Sequence, residues 1–88
     1  MMLGVYSVKD TAVNAFLTPF FARTDAEAVR SFSDACMDTK HQFAMHARDY
    51  ELYRIGTFHD VNGELDTHLG FLVSALSFQV TASVGPEQ

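Results

Sequence analysis

The stretch Pro19–Lys40, PFFARTDAEAVRSFSDACMDTK, leaves this chain the least freedom in how it folds. An apolar, strand-like run at Phe20-Phe21 leads to Thr24, which opens a capping box, Thr24-Asp25-Ala26-Glu27. In such a box the Thr hydroxyl accepts from the Glu27 backbone N–H, and the Glu27 carboxylate accepts from the Thr24 N–H. Asp25 and Glu27 also set negative charge at the positive end of the helix dipole. Ala26, Val29, Phe32, Ser33 and Cys36 then recur at three- and four-residue steps, with Glu27, Arg30, Ser31 and Asp34 on the other side. That period predicts an amphipathic helix over Asp25–Cys36, ending near Met37-Asp38.

The helix must find its partner within 88 residues, enough for one domain and no second. A chain this short buries only about two-thirds of its unfolded surface, so its core is small and a second copy would add useful buried area. The six basic and eleven acidic residues give a net charge of −5. That balance excludes a basic DNA-condensing protein, whose affinity comes from neutralising phosphates, but leaves room for a local basic patch. The single Cys36 has no intrachain disulfide partner and lies on the inner helix face, where it reads as a small buried hydrophobe in a reducing compartment. MMLGVYSVKD lacks the charged start and apolar core of a signal peptide. Leu69–Val80 is broken by Gly70, Ser74, Ser77 and Gln79 and is too short to span a bilayer, so a soluble protein with no membrane contact is expected.

Leu3–Val8 alternates Leu3, Val5 and Ser7 against Tyr6 and Val8, as a strand does. Lys9-Asp10-Thr11 reads as a turn. Ala12–Thr18 reads as a loop, with Phe16 and Leu17 tucked under the sheet, and Phe20–Arg23 as a short strand. Asp38–Asp49 lacks a period and suggests a surface connection anchored by Phe43 and Met45. Tyr50–Phe58 is the best strand after the helix, with Tyr50, Leu52 and Phe58 on one face and Tyr53 and Ile55 on the other. Asp60-Val61-Asn62-Gly63 suits a hairpin turn, and Glu64–Thr67 a short return strand. Leu69–Ala82 has helical spacing at Leu69, Leu72, Val73 and Leu76, then alternation over Ser77–Thr81, which suggests a helical turn followed by a strand. Ser83–Gln88 reads as a frayed tail. The expected architecture is a single α+β domain over 1–82: a small, mainly antiparallel sheet with one amphipathic helix packed on one face.

No catalytic constellation stands out. There is no nucleophile elbow and no glycine-rich phosphate loop, and helix capping accounts for Asp25 and Glu27. Of the four histidines, only His41 and His46 approach the spacing of zinc ligands, and His59-Asp60 is an isolated neighbour pair. The expectation is a protein without enzymatic activity, cofactor or metal. Single-strand binders combine exposed aromatics with Lys and Arg that track the backbone. Tyr6 and Lys9 on one strand, Tyr53 and Arg54 on another, and Arg23 at a strand end are the candidates for such a groove. The competing reading makes the tyrosines amphipathic core and the basic residues solvating surface.

The blocks FFARTDAEAVRSFSDACMDTKHQF and HARDYELYRIGTFHDVNGEL, in that order after the opening VYSVKD, resemble the small nonstructural protein of gokushovirus-type microviruses. These are bacteriophages with circular single-stranded DNA genomes. The resemblance covers roughly residues 5–66 and weakens beyond Leu69; the Cys-Met-Asp-Thr helix end also departs from the family's usual stop. It implies a role in the host cytoplasm in phage DNA replication, at the stage of single-stranded genome synthesis, and supplies no catalytic residues. Two functions follow as expectations. One is a homodimer that binds single-stranded DNA through Tyr6, Lys9, Arg23, Tyr53 and Arg54. The other is an interaction module for a phage or host replication or assembly protein, without DNA contact.

Overall fold

Alternation in the first strand sets the sheet. In the computed structural model, which describes residues 1–79, β1 (Met2–Asp10) pairs antiparallel on both edges. One edge takes β2 (Ala15–Phe16) at Lys9–Asp10 and β3 (Phe20–Ala22) at Gly4–Tyr6. The other edge takes β4 (Tyr50–His59) along its full length, and β4 in turn pairs with β5 (Glu64–Ser74). Between β3 and β4 the chain forms α1 (Asp25–Met37) and the single turn α2 (Gln42–Met45), and a 3-10 turn at Ala75–Phe78 follows β5. The expected α+β architecture is the observed one: a five-stranded antiparallel sheet with the main helix on one face.

The Thr24 hydroxyl accepts from the Glu27 N–H at 3.1 Å, as the capping box requires. Glu27, however, reaches one residue further than expected and accepts from the Arg23 N–H at 3.0 Å. The buried stripe of α1 is Ala28, Phe32 and Cys36, with Ala26 exposed, so the inner face is turned from the predicted one. Phe32 packs against Phe43 of α2 (ring centroids 5.4 Å apart) and Phe78 (6.2 Å), and Phe43 continues to Tyr50 at 4.7 Å. This aromatic chain closes the core over Val8, Leu52 and Ala75. Burial also pushes the Cys36 thiol up to about 11, which suits its role as an inert small hydrophobe.

Several expectations are corrected. Lys9 and Asp10 continue β1 instead of turning. Phe16, expected beneath the sheet, pairs with Lys9 and is exposed, whereas Leu17 packs on the core. Phe43 anchors the connection as expected, but Met45 points outward at 60% exposure. The helical turn expected from Leu69 is absent. Residues 64–74 form one strand and the helical turn comes after it, because Leu65, Thr67, Leu69 and Phe71 keep the two-residue period and β4 offers a full-length edge. In the hairpin loop only Gly63 takes a positive φ, +78°, so the turn is not the two-residue Asn-Gly type. The strand expected over Ser77–Thr81 runs past the described residues. Of these, Ser77 and Phe78 belong to the 3-10 turn. The tail expected at 83–88 lies outside them.

One irregularity matters for the surface. Val5 pairs with Gly56 but Tyr6 with Arg54, so Ile55 is the extra residue of a bulge in β4. A bulge reverses the alternation beyond it. Phe58, expected beside Tyr50 and Leu52, is therefore carried to the opposite face of the sheet, where its ring meets Phe21 at 5.6 Å. Gly56 follows the bulge, and a side chain there would run into the Asp66 carbonyl of β5. Among the described residues no helix is long and apolar enough to cross a membrane.

Candidate nucleic-acid interface

The face of the sheet away from α1 carries a row of aromatic rings. Phe16 of β2, Tyr53 of β4 and Phe71 of β5 meet edge to face, at 5.4 Å (70°) and 5.6 Å (75°) between centroids. The register explains the row: Lys9 opposes Phe16, Ser7 opposes Tyr53, and Tyr53 opposes Phe71, and directly opposed residues project to the same side. A second pair, Phe21–Phe58, lies further along the same face. Phe16, Phe21 and Phe71 are 42%, 53% and 57% exposed, and Leu65 and Leu69 add exposed apolar surface from β5. The Lys9 ammonium sits 5.7 Å from the Phe16 ring centroid, in reach of its π face. Tyr53 donates its hydroxyl to Glu51 at 3.1 Å. Partial burial, and then the Glu51 carboxylate, raise its pKa, so it remains a neutral ring near pH 7.

The opposite face holds a polar knot under the start of α1. Tyr6 Oη donates to Asp25 Oδ1 at 2.6 Å, and Arg54 Nη1 donates to the same oxygen at 2.7 Å. Arg54 is tied down further through Nε to the Gly56 carbonyl (3.2 Å) and Nη2 to the Thr57 hydroxyl (3.0 Å). Burial, together with the Asp25 carboxylate and against the opposing pull of Arg54, pushes the Tyr6 hydroxyl up to about 12. Asp25 is held below the usual carboxylate range, first by the Tyr6 hydrogen bond and then by Arg54.

The five residues proposed from sequence therefore divide. Lys9 and Tyr53 lie on the open face. Tyr6 and Arg54 come together on the helix side, where Tyr6 is fully buried and has no ring face to offer a base, and the Arg54 donors are engaged with protein acceptors. Arg23 is exposed beyond the end of β3. Phe16, Phe21, Phe58 and Phe71 were missed, although the alternation of Leu65, Thr67, Leu69 and Phe71 was there to be read. The histidines scatter: His41 accepts from the Phe43 N–H and caps α2 (3.0 Å), His46 follows that turn, and His68 is exposed in β5. His59, at the hairpin tip, contacts Asp66 at 2.7 Å.

Residues 3–78 match the model of the family described as Phage ORF5 protein, and the chain belongs to that bacteriophage family. No curated protein and no solved structure matches it.

Proposed function

We propose that this phage protein is a nonstructural accessory factor of the microvirus type, acting in the host cytoplasm during phage DNA replication and single-stranded genome synthesis. It binds single-stranded DNA as a homodimer. The observation that carries the reading is the exposed row Phe16–Tyr53–Phe71 with Lys9 at its end. Every base has a π face, so stacking on such a row is tolerant of sequence and contributes about 1–3 kcal/mol per base. With a net charge of −5, stacking must carry more of the affinity than phosphate contacts do. The reading assigns the protein no catalysis and no membrane partner. A second copy has a natural place beside β5, whose outer edge lacks a strand partner among the described residues.

Titration of a fluorescent single-stranded oligonucleotide at low salt tests the reading. Binding by the wild type and a loss of about tenfold or more in Phe71→Ala is the expected result. No binding at low salt, or full binding by Phe71→Ala, refutes it.

The exposed Phe21, Leu65 and Leu69 beside the row support a second reading, in which the same face docks a phage or host replication or assembly protein. Nuclease treatment before capture separates the two: DNA-bridged partners disappear and direct ones persist.

A further inference from the structure

The β4–β5 hairpin brings three side chains together beside its loop. His59 is the last residue of β4. Glu64, the first residue of β5, is its cross-strand partner, and Asp66, two residues on, projects to the same side of β5 as Glu64. One ligand atom from each lies within 4.8 Å of the other two. His59 Nε2 and Asp66 Oδ2 are already 2.7 Å apart, with His59 largely covered and Asp66 open to solvent. The backbone beneath is fixed on both sides, since His59 also pairs with Met2 of β1. The neighbouring Asp60 binds the Met1 amino group at 2.9 Å. A nitrogen donor held in a three-stranded register, faced by two carboxylates on rotatable side chains, is a different arrangement from a patch of acidic residues.

We propose that His59, Glu64 and Asp66 form a zinc-class cation site at the tip of the hairpin. One imidazole nitrogen and two carboxylate oxygens suit a borderline ion such as Zn²⁺, whereas Ca²⁺ and Mg²⁺ take shells of oxygen alone. Three protein ligands leave a fourth, tetrahedral position for water. At 2.7 Å the Asp66 carboxylate accepts a hydrogen bond from His59 in the tautomer that carries the proton on Nε2. Zinc needs the Nε2 lone pair, so the neutral ring binds as its Nδ1–H tautomer: the Nε2 proton is exchanged through solvent for one on Nδ1 as the Zn–N bond forms, and the Asp66 and Glu64 carboxylates turn to the ion. Metal–ligand bonds of about 2.0–2.2 Å at tetrahedral angles separate neighbouring donor atoms by roughly 3.3 Å. The His59–Asp66 pair must therefore open by about 0.6 Å, which rotation of the exposed Asp66 supplies, while rotation of Glu64 sets its own oxygen at the same spacing. Bound there, the ion cross-braces β4 and β5 next to the loop that joins them.

Calorimetric titration with zinc chloride in a non-coordinating buffer tests the site. The expected result is one zinc per chain at micromolar affinity, weakened by about tenfold or more in His59→Ala and in Asp66→Asn, and unchanged in His41→Ala and His68→Ala. Asp66→Asn removes only an exposed carboxylate, so circular dichroism should find its fold intact even if His59→Ala is damaged. Zinc uptake by Asp66→Asn and His59→Ala at wild-type affinity, or no saturable uptake by the wild type below millimolar zinc, overturns the proposal. These readouts are independent of DNA binding, so the two readings can fail separately.

Discussion

Tyr6 and Tyr53 lie on opposite faces of one sheet, and their surroundings show how differently the two faces are used. Tyr6 is fully buried, its ring against Phe20 and its hydroxyl on Asp25, and it fastens the start of α1 to the centre of the sheet. Tyr53 stands between Phe16 and Phe71 with only its neighbour Glu51 as a polar partner, and the rings beside it are exposed. The same residue type is buried and bonded to the helix on one side and set in a row of partly exposed rings on the other. What decides is whether a helix covers the face: a covered tyrosine must have its hydroxyl satisfied by protein, while an open one can present its ring.

The sharpest way to break that contrast is to truncate one apolar side chain on each face. Leu52→Ala, on the covered side at 0% exposure, should cost about 2–5 kcal/mol in chemical denaturation. Phe71→Ala, on the open side, should cost less than about 1 kcal/mol while weakening oligonucleotide binding. Equal destabilisation by the two would mean that both faces belong to the core.

Asp25→Asn should cost about 1 kcal/mol at neutral pH, a modest figure because nearly half of the Asp25 side chain is exposed. Its pH dependence is more telling. Asp25 has a lowered folded-state pKa, so its contribution is complete above the ordinary carboxylate value of about 4 and fades as pH falls through the depressed one. Denaturation curves of wild type and Asp25→Asn should therefore converge in acid. Tyr6 has the opposite sign: its raised pKa favours the neutral hydroxyl in the fold. That stability holds below the unfolded value of 10.0 and is lost as pH rises through about 12, a loss that Tyr6→Phe should remove.

Thr24→Ala tests the helix start alone and should cost about 1 kcal/mol without touching binding. The smallest effect should come from Lys9→Ala, which leaves stability unchanged, weakens oligonucleotide binding a few-fold and lowers the salt slope by about one. A slope that does not change would remove Lys9 from the interface.

How far the sequence could be read follows from how local each signal is. The α1 boundaries, the Thr24 cap, the β1 alternation and the burial of Cys36 and Phe43 rest on neighbours within a few residues, and the structure bears them out. The β5 assignment failed because Leu69, Leu72, Val73 and Leu76 fit a helical stripe and the edge that β4 offers cannot be seen in a local window. The candidate groove split for the same reason: the guanidinium of Arg54 reads as free until Asp25, 29 residues away, arrives beside it.

By itself the sequence determined that a capped amphipathic helix lies on a small antiparallel sheet, since turn chemistry and hydrophobic period act over a few bonds. Only the tertiary structure decided which face each aromatic serves. A single bulge at Ile55 reverses the alternation of β4, and that places Phe58 with Phe21 on the open side. The register of the β4–β5 hairpin, which the folded loop sets, likewise brought His59 to Glu64 and Asp66.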